Sequence, residues 1–600
     1  MLKTHSFHIP VMGIGFTIDT PLKVSHYGID SVISLGDDIL LEKLRKFYCE
    51  QYEIVYNEIT EKTEDFRAKR ITSYLNLINE LAEQKFEKLK TAMVNKRSEV
   101  KEYFNMLPDA ENIRNEFKNL KAKYFNTDEV GEWIKNNLSM GSIDVNIMTK
   151  VDKVNYIKKE KLAQEYNDAH AALRGFANSK LRSSVVLSAG MNPRLYSYFD
   201  QFDDFYADEN GEIKKKIILK VSDYRSALIQ GKFFAKKGLW VSEYRIESGL
   251  NCGGHAFATT GYLLGPILDE FKKNKEILVK SVHEILLKAL VAKNRPVLKT
   301  ELPLKITAQG GVGTAEEHEF LIDHYQIDSV GWGTPFLLVP EVVNLDDKTL
   351  NLLKNAKEED LYLSDISPLG VPFNNLRGNT KDLTKTTFIR NDRPGSPCPK
   401  RFLALNSEFS EKGMCVASRQ YQHLKLKELD QKDLPFDEYQ EAFNQITGKS
   451  CICVGLGTSA LLVNNLDTKV EGEGVSVCPG PNMAYFSKVM SLEQMTGHIY
   501  GKVNMMTRLD RPNMFIKELK IYIDYLKNKI ENTSIPVTNK QKKHLISFEE
   551  NLKEGINYYQ HLFSDVKDKF EDAKSNIFYE LELSKKTLMK MKQNIQALID

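Results

Sequence analysis

The chain has 600 residues, with 42% hydrophobic and 27% charged side chains and a formal net charge of +2. That length exceeds one domain and the composition is that of a globular protein. A charge so near zero gives no electrostatic case for nucleic acid or an anionic membrane, and no apolar run approaches the ~18 residues of a membrane span.

In chain order, the N-terminal MLKTHSFHIPVMGIGF lacks the apolar core of a leader and reads as a first strand. A cytoplasmic setting is expected, with the seven cysteines mostly reduced. Apolar or β-branched runs recur at His8–Gly13, Asp30–Leu35, Ile143–Thr149, Ser184–Ser188, Lys216–Val221, Leu239–Tyr244, Pro303–Gln309 and Ser329–Gly333. Eight such runs at helix-length spacing predict parallel βα units closing as an α/β (β/α)8 barrel. The long gap after the second run predicts a charged helical insertion, residues 37–138, with Ile71, Tyr74, Leu75, Ile78, Ala82, Phe86 and Leu89 on one helical face. The barrel then comprises residues 1–36 and 139–345. A cysteine- and proline-rich extension, 346–510, is expected to pack on it, with loops at PGSPCPK and VCPGPN. The last segment, 511–600, reads as a bundle of two or three helices with Ile516, Leu519, Ile523 and Leu526 on one face and Leu583, Leu588, Met591, Ile595 and Leu598 following.

Two motifs carry the chemistry. Gly310-Gly311-Val312-Gly313-Thr314 follows the seventh run and opens a helix, and Gly333-Thr334 follows the eighth. Glycines let backbone approach a ligand, and helix N-termini present free N–H groups to anions. Paired after consecutive strands, the two turns predict a phosphate cradle that needs no cation; taken singly, each is also an ordinary tight turn. The second motif, Asn251-Cys252-Gly253-Gly254-His255, follows the sixth run, on the face where barrels carry their active sites. Its glycines admit a flat ring, and His255 is a natural proton acceptor near neutral pH or else a loop histidine satisfying carbonyls.

Together these motifs resemble the nitronate monooxygenase family, once called 2-nitropropane dioxygenases, and the related flavin-dependent enoyl reductases. The matching residues are Pro10-Val11-Met12-Gly13, Asp144-Val145-Asn146-Ile147, Gly253-Gly254-His255, Gly310-Gly311-Val312-Gly313, Gly333-Thr334-Pro335-Phe336-Leu337, Ser367-Pro368-Leu369-Gly370 and Asn375-Leu376-Arg377-Gly378. The resemblance covers residues 1–36 and 139 to about 380. It implies an FMN-binding barrel in which Gly310, Gly311, Gly313, Gly333 and Thr334 hold the phosphate. Met12, Gly13, Asn146, Lys220, Gly253 and Gly254 then lie near the ring or ribityl chain, with His255 as the catalytic histidine. A lysine at the end of a strand, such as Lys220, also suits negative charge on a reduced flavin, or else stands in water.

The extension departs from that family. Cys398, Cys415, Cys451, Cys453 and Cys478 fall within about 80 residues, and Cys398 and Cys478 each precede a proline. Thiolates ligate iron–sulfur clusters and zinc, so four of these five are candidate ligands, against the alternative of inert buried thiols. Cys49 and Cys252 are expected free, with Cys252 bordering the substrate pocket.

The leading expectation is an FMN-dependent oxidoreductase that oxidises a small nitronate-type carbanion with O2, His255 acting as base. An alternative is an enoyl-type reductase or dehydrogenase drawing electrons from NAD(P)H or through an iron–sulfur cluster. An alternative of another class is a non-catalytic flavin-binding scaffold. Neither the natural substrate nor the oligomeric state is legible in the chain.

Overall fold

The computed structural model describes residues 5–95, 98–108, 115, 119, 132–133, 136–533 and 536–599. Eight parallel strands close a barrel: β1 (Phe7–Ile9), β2 (Asp30–Ser34), β3 (Ile143–Ile147), β4 (Ser184–Leu187), β5 (Lys216–Val221), β6 (Val241–Glu247), β7 (Lys305–Gln309) and β8 (Ser329–Gly331). Closure pairs β1 with β8 in the register Phe7↔Val330 and His8↔Gly331. All eight expected runs supply a strand.

Seven of the eight strands differ from their expected runs by one or more residues, and two of the differences have a clear cause. β1 ends at Ile9 because Pro10 has no N–H for the ladder. β6 runs on to Glu247 although its last residues are charged. The barrel interior accepts them because Arg245 pairs with Glu243 at 2.8 Å and Thr307 donates to the same carboxylate at 2.6 Å. Nearby, Val32, Val186 and Ile218 form a small apolar cluster under Val11.

The segment after β2 is helical as expected. Asp37 caps α1 (Asp38–Gln51) by accepting from the Leu40 amide at 2.9 Å. In α2 (Phe66–Asn95) the stripe Ile71, Tyr74, Leu75, Ile78, Ala82, Phe86 and Leu89 is buried. Its neighbours are α1 and α3 (Asp168–Ala177), so this helix belongs to the shell around the barrel. A short helix, Ser98–Met106, follows, and most of the expected insertion beyond residue 108 lies outside the described residues.

Helices α4 (Tyr224–Ala235), α5 (Leu264–Ala292) and α6 (Ala315–Tyr325) follow β5, β6 and β7. The extension holds PGSPCPK as loop, as expected, while VCPGPN runs from loop into a 3-10 turn at Pro481–Tyr485. It is more helical than its composition suggests: α7 (Ile452–Val463) is almost entirely buried in the fold. No single helix among the described residues is long and apolar enough to cross a membrane. Three helices end the chain: α8 (Met514–Glu531), α9 (Asn539–Asp565) and α10 (Glu571–Ile599), each in contact with the other two. Ile516, Leu519, Ile523 and Leu526 are buried there, whereas Leu583 faces solvent. α8 is tied to the barrel by Glu518, which accepts from Ser248 Oγ at 2.5 Å and from the Leu264 amide at 2.9 Å. Burial pushes the Glu518 carboxyl up to about 7.

Candidate active site

The C-terminal ends of the strands open onto adjoining cavities. One, of about 120 Å³, is lined by Met12 and Gly13 after β1, Gly253 and Gly254 after β6, Gly310 and Gly311 after β7, and Gly333 and Thr334 after β8. Both glycine turns therefore face a common space. Gly310 and Gly311 adopt φ of +103° and +87°, which glycine enters at no steric cost. A Cβ on Gly310 would lie 2.3 Å from Cys252 Sγ, and one on Gly311 would lie 2.1 Å from Asn251 Nδ2. Among the described residues, the amides of Gly311, Val312, Gly333 and Thr334 donate to no protein acceptor. Asn251 is buried with neither end of its side-chain amide partnered, and Gln309 Oε1 is likewise unpartnered. Unpaired backbone donors on residues that line one cavity are the material of an anion nest.

The third glycine behaves differently. The Gly313 amide donates to Glu317 Oε2 at 2.8 Å, and a Cβ there would lie 2.7 Å from the Arg511 guanidinium. Glu317 Oε1 accepts from Arg511 Nη1 and from the Met514 amide, both at 2.7 Å. Arg511 and Asn482 also hold the Gly311 carbonyl, at 2.5 and 2.9 Å. Two expectations are corrected. The start of α6 is closed by its own Glu317 rather than open to a ligand, so Gly313 admits Arg511 and is not a phosphate donor. A cation does stand behind the turn, though it is committed to Glu317. Thr334 accepts from the Gly480 amide at 2.9 Å, which leaves its hydroxyl proton to donate.

FMN can be tested against this cradle. Four free amides and the Thr334 hydroxyl match a phosphate, and the unpartnered Asn251 and Gln309 match the polar edge of a flavin or its ribityl chain. The residues present fit the group: Gly310, Gly311, Gly333 and Thr334 line the cradle, whereas the Gly313 amide is taken by Glu317.

A larger cavity, of about 420 Å³, shares Gly13, Lys220, Gly253 and Gly254 with the first and adds Asn146 and His255. Lys220 does not stand free: it pairs with Glu247 at 2.6 Å, and Gln309 donates to the same carboxylate. Asn146 is turned to the Val186 carbonyl, at 3.1 Å. His255 is fixed by the segment that follows the barrel, through the Phe373 ring with centroids 4.9 Å apart and a 2.7 Å hydrogen bond between Nε2 and Ser367 Oγ. Burial lowers its pKa to about 4, so the ring is neutral at physiological pH. Cys252 borders the cavities as expected, with its thiol raised by burial. Cys478 lines them too, away from the other four cysteines of the extension, and burial pushes its thiol up to about 12.

Sequence reasoning missed Asn251, Gln309, Glu247, Glu317, Asn482, Arg511 and Ser367. For Glu317 a signal existed: Thr314-Ala315-Glu316-Glu317 is a capping-box pattern, and the Glu317 amide does donate to Thr314 Oγ1 at 3.2 Å. Arg511 and Asn482 carry no local signal, since they reach the turn only through the folded chain.

No protein-family profile matches the chain, and no curated protein matches it in sequence. Among solved structures it is similar to a FabK mutant from Thermotoga maritima, at 11% identity and a TM-score of 0.30, covering 66% of this chain and 81% of that one. It is also similar to the enoyl reductase domain of MlnA from the macrolactin biosynthesis cluster of Bacillus amyloliquefaciens, at 13% identity and 0.32, covering 74% and 88%. A nitroalkane oxidase from Streptomyces ansochromogenes matches at 10% identity and 0.27, covering 62% and 84%. Likenesses of that size leave the chemistry to be read from the chain's own residues.

Proposed function

We propose that this protein is an FMN-dependent oxidoreductase, similar in its chemistry to nitronate monooxygenases. The observation that carries the reading is the set of four unpaired amides, at Gly311, Val312, Gly333 and Thr334, facing one cavity at the catalytic end of the barrel. FMN held there would supply a two-electron acceptor and donor beside the cavity of His255.

The residues themselves narrow the substrate. A histidine held near pKa 4 is a poor acceptor for a proton on carbon. It suits a substrate that arrives already as a delocalised anion, such as a nitronate, which the neutral ring can orient by a hydrogen bond. Ser367 supports both states, because its hydroxyl donates to a neutral ring and accepts from a charged one. Lys150 lines the same cavity with its ammonium 4.9 Å from the Phe257 ring centroid. That cation favours an anionic substrate.

A second reading rests on the cavity wall. The space of about 420 Å³ is walled by Leu35, Ile147, Met148, Val371, Leu403 and Leu456, which suits an apolar substrate, as a conjugated enoyl compound reduced with NAD(P)H would be. Anaerobic mixing separates the two. Bleaching of bound FMN by a nitronate, with recovery in air, supports the first reading. Bleaching by NAD(P)H with recovery on adding an enoyl thioester supports the second. Failure of the protein to retain any flavin overturns both and favours a scaffold.

A further inference from the structure

We propose that Glu518 is a positioning residue for the proposed reaction, its side chain clasping the two ends of the loop that carries Asn251, Gly253, Gly254 and His255. The inference takes the role of that loop from the flavin reading; the clasp itself does not depend on it.

The loop joins β6, which ends at Glu247, to α5, which begins at Leu264. Ser248 and Leu264 stand at its two ends, and both reach one carboxylate. Glu518 Oε1 accepts from Ser248 Oγ at 2.5 Å, and Oε2 accepts from the Leu264 amide at 2.9 Å. Ser248, Leu264 and Glu518 are 2%, 1% and 2% exposed, so water does not compete for these bonds. α5 has its own need of the second bond. Its N-cap, Leu263, makes no side-chain cap, and the first amides of a helix have no partner within it. Glu518 supplies that cap from another element, and a carboxylate also suits the positive end of a helix. A loop whose ends are tied to one helix has fewer conformations to sample.

The C-terminal helices continue the grip along the loop. One turn beyond Glu518 on α8, the Tyr522 hydroxyl meets Thr259 Oγ1 at 2.9 Å. From α9, Asn551 donates to the Thr260 carbonyl at 2.8 Å, and Tyr559 Oη accepts from the Gly265 amide at 3.1 Å. Glycine permits so close an approach: a Cβ on Gly249 would lie 2.6 Å from Tyr522 Oη, and one on Gly261 would lie 2.5 Å from the Phe548 carbonyl oxygen.

The inner part of the loop closes on itself and on the extension. The Phe257 amide donates to the Gly249 carbonyl at 3.1 Å, the Ala256 amide to the Pro372 carbonyl at 2.9 Å and the Gly254 amide to the Cys478 carbonyl at 3.1 Å. His255 stands between the last two amides, so its ring follows the loop that Glu518 fixes. The extension acts here through its backbone and not through a metal centre. Among the described residues, Cys398, Cys415, Cys451, Cys453 and Cys478 included, no group of three or more His, Cys, Asp or Glu could hold an ion, which corrects the expectation of a cluster or zinc site.

The test compares two variants of the full chain. Glu518→Leu keeps the bulk and removes both acceptors. Glu518→Gln keeps both links, its carbonyl accepting from Leu264 and its NH2 group donating to Ser248 Oγ. Hydrogen exchange is read at one pH in peptides spanning residues 248–263, and kcat and KM are measured with the nitronate of nitroethane. In Glu518→Leu the loop amides should exchange at least about tenfold faster, and kcat should fall at least about tenfold, by more than KM rises. Glu518→Gln should restore both to within about threefold of the parent. Tyr522→Phe, which removes one hydroxyl, should move both readouts in the same direction by a smaller factor and covers the case in which Glu518→Leu does not fold. Lys520→Ala, which breaks only the 2.9 Å ion pair of α8 with Glu580, should move neither. Loop exchange unchanged in both Glu518→Leu and Tyr522→Phe would overturn the clasp. Faster exchange with unaltered kcat would overturn the positioning role. A parent chain that neither retains flavin nor turns over counts against the flavin reading alone, and the exchange still decides the clasp.

Discussion

Replacing Gly311 with alanine tests the cradle at its tightest point. The residue holds φ +87°, and the new Cβ would fall 2.1 Å from Asn251 Nδ2. Alanine in a left-handed conformation costs about 1–2 kcal/mol, so the turn must rotate or Asn251 must move. Either shift withdraws the Gly311 amide from the anion nest. A hydrogen bond to a charged group contributes about 1.5–3 kcal/mol, which is about a 10- to 150-fold loss in FMN affinity. The assay is fluorescence titration of the flavin-free protein with FMN and, separately, with riboflavin, which lacks the phosphate. The variant should bind riboflavin as the parent does and lose the preference for FMN. Gly333→Ala serves as the control, because φ is −111° there and the nearest atom, Pro10 Cγ, lies 3.4 Å from the new Cβ; its FMN affinity should change by less than about threefold. Equal loss of both ligands in Gly311→Ala, or no loss of either, would refute a phosphate grip at this turn.

Three further outcomes follow from the geometry. Arg511→Met strands Glu317 as a buried carboxylate and should destabilise the protein by about 3–5 kcal/mol in denaturant titration, with partial recovery in the double variant carrying Glu317→Gln. His255 has a folded pKa of about 4, below its unfolded value, so its neutral form persists down to that pH. The pH profile of kcat/KM should show no histidine limb between pH 5 and 8, and stability should fall as acid takes pH from about 6.5 toward 4. Glu518 is the reverse case: its folded pKa of about 7 lies above the unfolded value, so its contribution is complete below about pH 4.5 and is lost as pH rises through 7. Hydrogen exchange in α8 should quicken between pH 6 and 8 in the parent and not in Glu518→Gln.

Much of the barrel was legible because parallel strands buried on both faces leave short apolar runs at regular spacing. The reading slipped at β6, whose expected run stopped at Tyr244: Arg245 and Glu247 look like loop residues and are in fact satisfied inside the barrel by Glu243 and by Lys220. The two glycine turns and His255 were legible as local motifs, and the structure brings them to adjoining cavities. Their partners were not legible. Arg511 and Asn482 come from beyond the barrel, and nothing in their own neighbourhoods marks them as clamps on the Gly311 carbonyl. The same holds for Lys220, whose charge looked available until Glu247 was found against it. Periodicity identified the buried stripe of α2 but could not say that α3 would cover it.

A crystal structure with FMN soaked in tests the central claim most directly. The account predicts one flavin per chain, its phosphate within hydrogen-bonding reach of the Gly311, Val312, Gly333 and Thr334 amides and its ring beside the His255 cavity. A phosphate bound elsewhere, or a cavity that stays free of flavin at saturating concentration, would contradict it.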